Sequence, residues 1–212
     1  MTDYKFTQDW FHWAPAVWEQ LIPLLPGRKL FLEIGSFEGR STIWIMEHMM
    51  EDGGSIECID TWEGGEEHTN GEMGGAEARF DHNTKIAQEK FPDREAVKLK
   101  GTSVSMLADN LCLAGTINEY DNSGPYDRKE TYDFIYIDGS HIAKDVLTDA
   151  CMAWPLLNKN GFMVFDDYMW GEPRDILHRP KPAIDAFCNI FAEEAQIVHV
   201  GYQLVVRKKG EG

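Results

Sequence analysis

The sequence predicts an α/β domain built on a doubly wound, mainly parallel sheet, closed by a C-terminal antiparallel strand pair. Three observations carry that expectation. Short apolar runs alternate five times with helix-period segments. The runs are uninterrupted rather than alternating in polarity, as in strands covered on both faces. Each run ends in glycine or a polar residue, and open α/β sheets bind their ligands beyond the carboxyl ends of the strands. The 212 residues are enough for one domain spanning 1–212, with 1–28 as an N-terminal helical segment.

Taken in order, residues 9–25 read as an aromatic-rich amphipathic helix, or two short ones, interrupted around Pro15 and Pro23. KLFLEIG (29–35) is the first strand. A glycine turn then opens a helix over 39–51, and SIECID (55–60) is the second strand. Residues 62–75 are glycine-rich, acidic and without period, hence a loop. A helix over 76–91 is stopped by Pro92, a third strand runs 96–101, and a helix follows over 103–112. Residues 114–131 form a polar insertion. YDFIYIDG (132–139) is the fourth strand, 143–157 a helix, and GFMVFDD (161–167) the fifth strand. A loop rich in proline and aromatics (168–182) leads to a helix over 183–194. The chain closes with an antiparallel pair over 195–209 that turns near Gly201.

Composition narrows the function. A net charge of -16 argues against a nucleic-acid or anionic-membrane partner, since phosphate would be repelled. Cys58, Cys112, Cys151 and Cys188 lie far apart with no C-x-x-C, which fits reduced thiols in a cytoplasmic protein. The N-terminus shows no signal-peptide pattern, and no apolar run approaches a membrane span. Self-association is compatible with all of this.

The strand ends then supply a candidate site. LEIGSFEGRS (32–41) places Glu33 within an apolar strand and glycines at 35 and 39, so a ligand can approach the backbone beside a helix N-terminus. The spacing is not G-x-G-x-x-G, which weighs against a nicotinamide-dependent dehydrogenase. Asp60 ends the second strand, where a carboxylate accepts from both ribose hydroxyls. With Glu33 it favours an adenosyl ligand. Asp138 ends strand four, and Asp166 and Asp167 end strand five. If those strands are neighbours, three carboxylates converge, and hard oxygen donors without cysteine select magnesium, calcium or manganese. His141, three residues beyond Asp138, is suited to general-base work near neutrality. Trp10, Trp13 and Trp170 are candidate walls of an acceptor pocket. Trp18 is expected in the core, and Met46, Met49 and Met50 on a helix face in the core or at its rim.

These residues resemble the class I S-adenosylmethionine-dependent methyltransferases, which have a Rossmann-like fold. FLEIGSFEGRST is similar to their first motif and CIDTW to the acidic end of their second strand. Residues 132–168, with I-D-G-S-H and F-D-D-Y, resemble the metal-dependent small-molecule O-methyltransferases, the group that includes catechol and macrolide-sugar O-methyltransferases. The resemblance spans roughly residues 29–168. It implies S-adenosylmethionine as cofactor, bound at Glu33, Gly35, Ser36, Asp60, Thr61, Trp62, Gly101, Thr102, Ser103 and Asp138. The methionine end would lie at Glu33 and Gly35, and adenine at the 101–103 turn. It also implies a divalent cation, magnesium first, on Asp138, Asp166 and Asp167, with His141 as catalytic base and a small-molecule hydroxyl as acceptor. Two alternatives stand beside it. One is a cephalosporin-hydroxylase-like relative with non-methylating chemistry, and the other is a cofactor-binding module without catalysis.

Overall fold

The computed structural model describes residues 4–65, 73–113, 132–171 and 175–210. Among these residues, seven strands form one sheet: β1 Leu30–Ile34, β2 Ser55–Asp60, β3 Glu95–Lys100, β4 Tyr132–Ile137, β5 Leu157–Phe165, β6 Ala195–Val200 and β7 Leu204–Lys208. Their order is β3-β2-β1-β4-β5-β7-β6. The first five are parallel, and β7 pairs antiparallel with both β5 and β6. The expected doubly wound sheet with a closing antiparallel pair is therefore present, and β4 and β5 are neighbours. Among the described residues, no helix is long and apolar enough to cross a membrane.

Among the described residues, six α-helices cover the two faces: α1 Ala14–Leu21, α2 Arg40–Trp44, α3 Ala76–Lys90, α4 Ser103–Leu113, α5 Ala143–Ala153 and α6 Lys181–Ile190. Side chains alternate across a strand, so each apolar run feeds two cores. Leu32, Ile135, Met163 and Phe165 pack with Leu107, Val146 and Phe187 of α4, α5 and α6. Phe31, Phe134, Phe162 and Val164 pack on the other face with Trp18, Ile43 and Phe80 of α1, α2 and α3 and with Met46 just beyond α2. Trp18, Met46 and Met49 are fully buried, as expected for core residues.

Three departures from the expected boundaries have a local reason. Pro15 opens α1 at its first turn, where a missing N–H costs nothing, rather than breaking it. The helix over 143–157 ends at Ala153, because Pro155 sits in a 3-10 turn, Trp154–Leu156. Strand β5 then starts at Leu157, four residues early, and absorbs a register shift between Tyr132 and Phe134 of its partner β4 near Asn160 at φ +66°. Helix α2 passes into a π turn, Ile45–Met49, closed by Met50 N–H donating to the Ile45 carbonyl. The 114–131 insertion and residues 66–72 and 172–174 of the two expected loops lie outside the described residues.

Candidate active site

A cavity of about 1110 Å³ opens at the carboxyl ends of β1 to β5. Its lining includes Gly35, Asp60, Thr61, Gly101, Thr102, Ser103, Asp138, His141, Asp166 and Asp167. The strand ends thus meet in one space, as the topology requires. Three residues expected at the cofactor do not line it: Glu33, Ser36 and Trp62 are buried behind the wall.

The β1–β2 end is held by complete hydrogen bonding. Glu33 is fully buried, and the hydroxyls of Ser41 and Thr42 donate to its two oxygens. Burial still pushes its carboxyl upward. Glu33 therefore ties β1 to α2 and reaches a ligand only through the turn between them. That turn needs Gly35. Its φ is +87°, and a Cβ there would lie 2.0 Å from the Asp138 carbonyl oxygen. Asp60 accepts from the backbone N–H of Ser36 at 2.9 Å, Phe37 at 2.8 Å and Trp62 at 2.6 Å. Ser36 and Phe37 occupy Oδ2, while Oδ1 accepts only from Trp62 and keeps a lone pair for a ribose hydroxyl. Trp62 anchors the same turn from behind, donating its indole N–H to the Phe37 carbonyl at 2.7 Å. Phe37 and Trp62 take positive φ, +46° and +55°. Such non-glycine strain is concentrated at functional sites.

The β4–β5 end is built differently. Backbone pairing continues past the strands, Asp138 N–H to Ile34 O and Asp166 N–H to Ile137 O, which sets the two carboxylates side by side. The Tyr136 hydroxyl lies between them, 2.9 Å from Asp138 Oδ2 and in contact with Asp166 Oδ2. It carries one proton, so it can donate to only one at a time. Burial first, then repulsion from Asp166 and Asp167, holds the Asp138 carboxyl well above its usual range. Burial, then Asp167, raises Asp166 to about 6. Among the described residues, no lysine or arginine forms an ion pair with these groups.

The donor atoms of Asp138, His141 and Asp167 all lie within 4.8 Å of one another. The expected trio was Asp138, Asp166 and Asp167. Asp166 lines the same cavity, but its Oδ1 accepts from Asp167 N–H and its Oδ2 faces Tyr136, so His141 takes its place in the closest group. His141 Nε2 lies 2.6 Å from Asp167 Oδ2, while Nδ1 is buried. The imidazole also meets Trp170, with ring centroids 4.6 Å apart.

Aromatic walls close this end. Trp10, Trp13 and Trp170 line the cavity, joined by Phe37 and Tyr202. Trp10 stacks on Phe37 at 5.1 Å. Sequence reading did not single out Tyr202, Glu38 or Asp149. Glu38 is buried and gathers Arg79 of α3 and Thr7 of the N-terminal segment, so it fastens the cap. Asp149, on α5, is 2% exposed and raised to about 6, chiefly by burial. An acid within an otherwise apolar helix face was the available signal for Asp149.

The family described as "Methyltransferase domain" matches residues 32–168. Among curated proteins, none matches the chain. Solved structures share the fold. The O-methyltransferase from Bacillus cereus, in complex with SAH, superposes with a TM-score of 0.59 at 18% identity, covering 98% of this chain and 84% of that one. The O-methyltransferase TomG from Streptomyces achromogenes, involved in tomaymycin synthesis and in complex with SAM, gives 0.59 at 17%, covering 99% and 84%. The calicheamicin methyltransferase CalS11 gives 0.60 at 14%, covering 93% and 77%. With the matched segment running from the first strand through both acidic strand ends, this chain belongs to the methyltransferase-domain family.

Proposed function

We propose that the protein transfers a methyl group from S-adenosylmethionine to a hydroxyl oxygen of a small molecule, assisted by a divalent cation. The observation that carries this reading is the meeting of Asp138, His141 and Asp167 in the same cavity as the Gly35–Asp60 turns. The structural neighbours bound to SAM or SAH support the cofactor.

The donor set fits a hard cation. Three carboxylates crowd together, two of them with raised pKa, without a lysine or arginine partner among the described residues. Asp138, Asp166 and Asp167 would hold the cation, with magnesium the first choice for oxygen donors. When bound, it would supply Lewis acidity that lowers the pKa of an acceptor hydroxyl. S-adenosylmethionine supplies a methyl group already activated by its sulfonium, so the chain's task is placement. Asp60 and the 101–103 turn hold the nucleoside side, and the Gly35 turn leaves room for the amino-acid end. The aromatic walls exclude water around the acceptor. His141 takes the acceptor proton on Nε2, the nitrogen facing the carboxylates, and Asp167 stabilises the imidazolium that forms.

The described lining residues include six aspartates and no lysine or arginine, which supports a neutral or cationic acceptor over an anionic one. The net charge of -16 supports a small molecule rather than nucleic acid. All four cysteines are free thiols, which supports a reducing, cytoplasmic setting.

The test is methyl transfer from labelled S-adenosylmethionine to a panel of neutral, cationic and anionic diols, with and without chelator. Transfer that needs Mg2+ and prefers non-anionic acceptors is expected. Chelator-insensitive transfer would remove the cation from the reading. Cofactor binding without transfer to any acceptor would favour a binding module or a non-methylating relative.

A further inference from the structure

The family segment ends at Tyr168, yet the carboxylates at its end are not held by that segment alone. Two consecutive residues of the β6–β7 turn reach them. Tyr202 Oη donates to Asp167 Oδ1 at 2.7 Å, while the other oxygen, Oδ2, faces His141 at 2.6 Å. Gln203 is 2% exposed. Its amide nitrogen is buried without a hydrogen bond of ordinary geometry, and its proximity favours the charged form of Asp166. The turn is itself fixed: Gly201 N–H donates to the Gln203 carbonyl at 2.9 Å, and Met169 N–H to the Tyr202 carbonyl at 3.4 Å.

Each of these two residues has a tryptophan of the N-terminal segment on its far side. The Trp13 ring meets Tyr202 edge-to-face, with centroids 4.9 Å apart at 62°. Trp18 Nε1 donates to Gln203 Oε1 at 2.8 Å. One chain of contact results, Trp13 to Tyr202 to Asp167, and Trp18 fixes the neighbouring Gln203 beside it. Asp167 needs an external hold, because its φ is +56°. A non-glycine residue keeps that conformation only where its surroundings over-determine it. Its backbone is fixed by the β5 end, but the direction of its carboxylate is fixed by Tyr202.

We infer that Tyr202 is a positioning residue for the cation site. Its hydroxyl aims Asp167 Oδ2 at His141 and Asp138, and Trp13 holds the Tyr202 ring where it can do so. The N-terminal segment and the C-terminal hairpin thereby set the geometry of a site whose ligands all lie in the family segment. Losing a group that orients a metal ligand typically costs about 10- to 100-fold in metal affinity. The inference rests on the cation reading proposed above.

Tyr202→Phe keeps the ring and its contact with Trp13 and deletes only the hydroxyl. Mn2+ binding to the full chain, measured by calorimetry, is expected to weaken roughly 10- to 100-fold. S-adenosylhomocysteine affinity, measured without metal, should stay unchanged, because its subsite lies at the Gly35–Asp60 end. Trp13→Leu should weaken Mn2+ binding less, and Trp13→Phe least, since a ring edge against Tyr202 is retained. Equal Mn2+ affinity in the native chain and Tyr202→Phe overturns the inference while leaving the cation reading intact. A parallel loss of S-adenosylhomocysteine affinity makes Tyr202 a general prop and also overturns it. No Mn2+ binding by the native chain removes the cation reading and this inference with it.

Discussion

The two ends of the cavity treat buried acids in opposite ways. At the β1–β2 end, Glu33 receives two hydroxyl donors and Asp60 three backbone N–H groups. At the β4–β5 end, Asp138 and Asp166 share one tyrosine hydroxyl and face Asp167. A buried acid met by donors organises backbone, and it can do so before any ligand arrives. Acids that face each other store repulsion, which a divalent cation would relieve. The first end reads as a preformed cradle. The second is completed by what binds there.

The sharpest break between the ends is catalytic. His141 touches Asp167 and belongs to the crowded end alone. His141→Ala should lower turnover by about 10²- to 10⁴-fold, the usual contribution of a positioned base. S-adenosylhomocysteine affinity should hardly move. Single-turnover methyl transfer checks the first statement and calorimetry the second. A variant with native single-turnover rate at neutral pH would return His141 to a structural role. Smaller, and at the other end, Asp60→Ala should weaken S-adenosylhomocysteine binding by roughly 1.5–3 kcal/mol, the range for hydrogen bonds to a charged group. Mn2+ affinity should be spared. Loss of both together would show that the two ends are one cooperative unit and dissolve the contrast.

Much of the preformed end was legible in the sequence because it is local. Gly35, Asp60 and the 101–103 turn each stand directly beyond an apolar run, and the strand-end rule locates them. The acidic strand ends were legible for the same reason, and β4–β5 adjacency follows from the doubly wound order. What escaped was set by distant pairing. Tyr202 meets Asp167 across 35 positions, and Gln203 meets Trp18 across 185. Nothing in the local pattern of a hairpin turn announces a partner that far away. Glu33 shows the converse. Its place in the strand was plain, but whether its carboxylate faced a ligand or α2 depended on Ser41 and Thr42, whose hydroxyls the helix register turns inward. His141 rather than Asp166 joins the closest group because backbone N–H and Tyr136 claim Asp166 first.

Asp149 offers the smallest test and the cleanest control. It is a buried carboxylate of the cavity wall beside Ser103, outside the closest acidic group, raised to about 6 mainly by burial, with the Ser103 hydroxyl lowering it and Asp145 raising it. No cation is assigned to it, so its penalty should persist whatever the site holds. The folded chain binds the Asp149 proton more tightly than the unfolded chain, whose carboxyl titrates near 3.8. Unfolding free energy therefore falls as pH rises from about 4 to about 6 and is flat above that window. The full shift corresponds to about 3 kcal/mol. Asp149→Asn cannot ionise and should escape this loss. Urea denaturation should find the variant more stable than the native chain at pH 7, by about 1–2 kcal/mol, with the gain vanishing near pH 4. Asp138 and Asp166 titrate in both chains, so the difference between the two curves isolates Asp149. Adding Mg2+ should stabilise both chains equally and leave that difference unchanged. A variant less stable than native at pH 7 would mean that the Ser103 contact outweighs burial. Asp149 would then belong with the donor-satisfied acids of the preformed end.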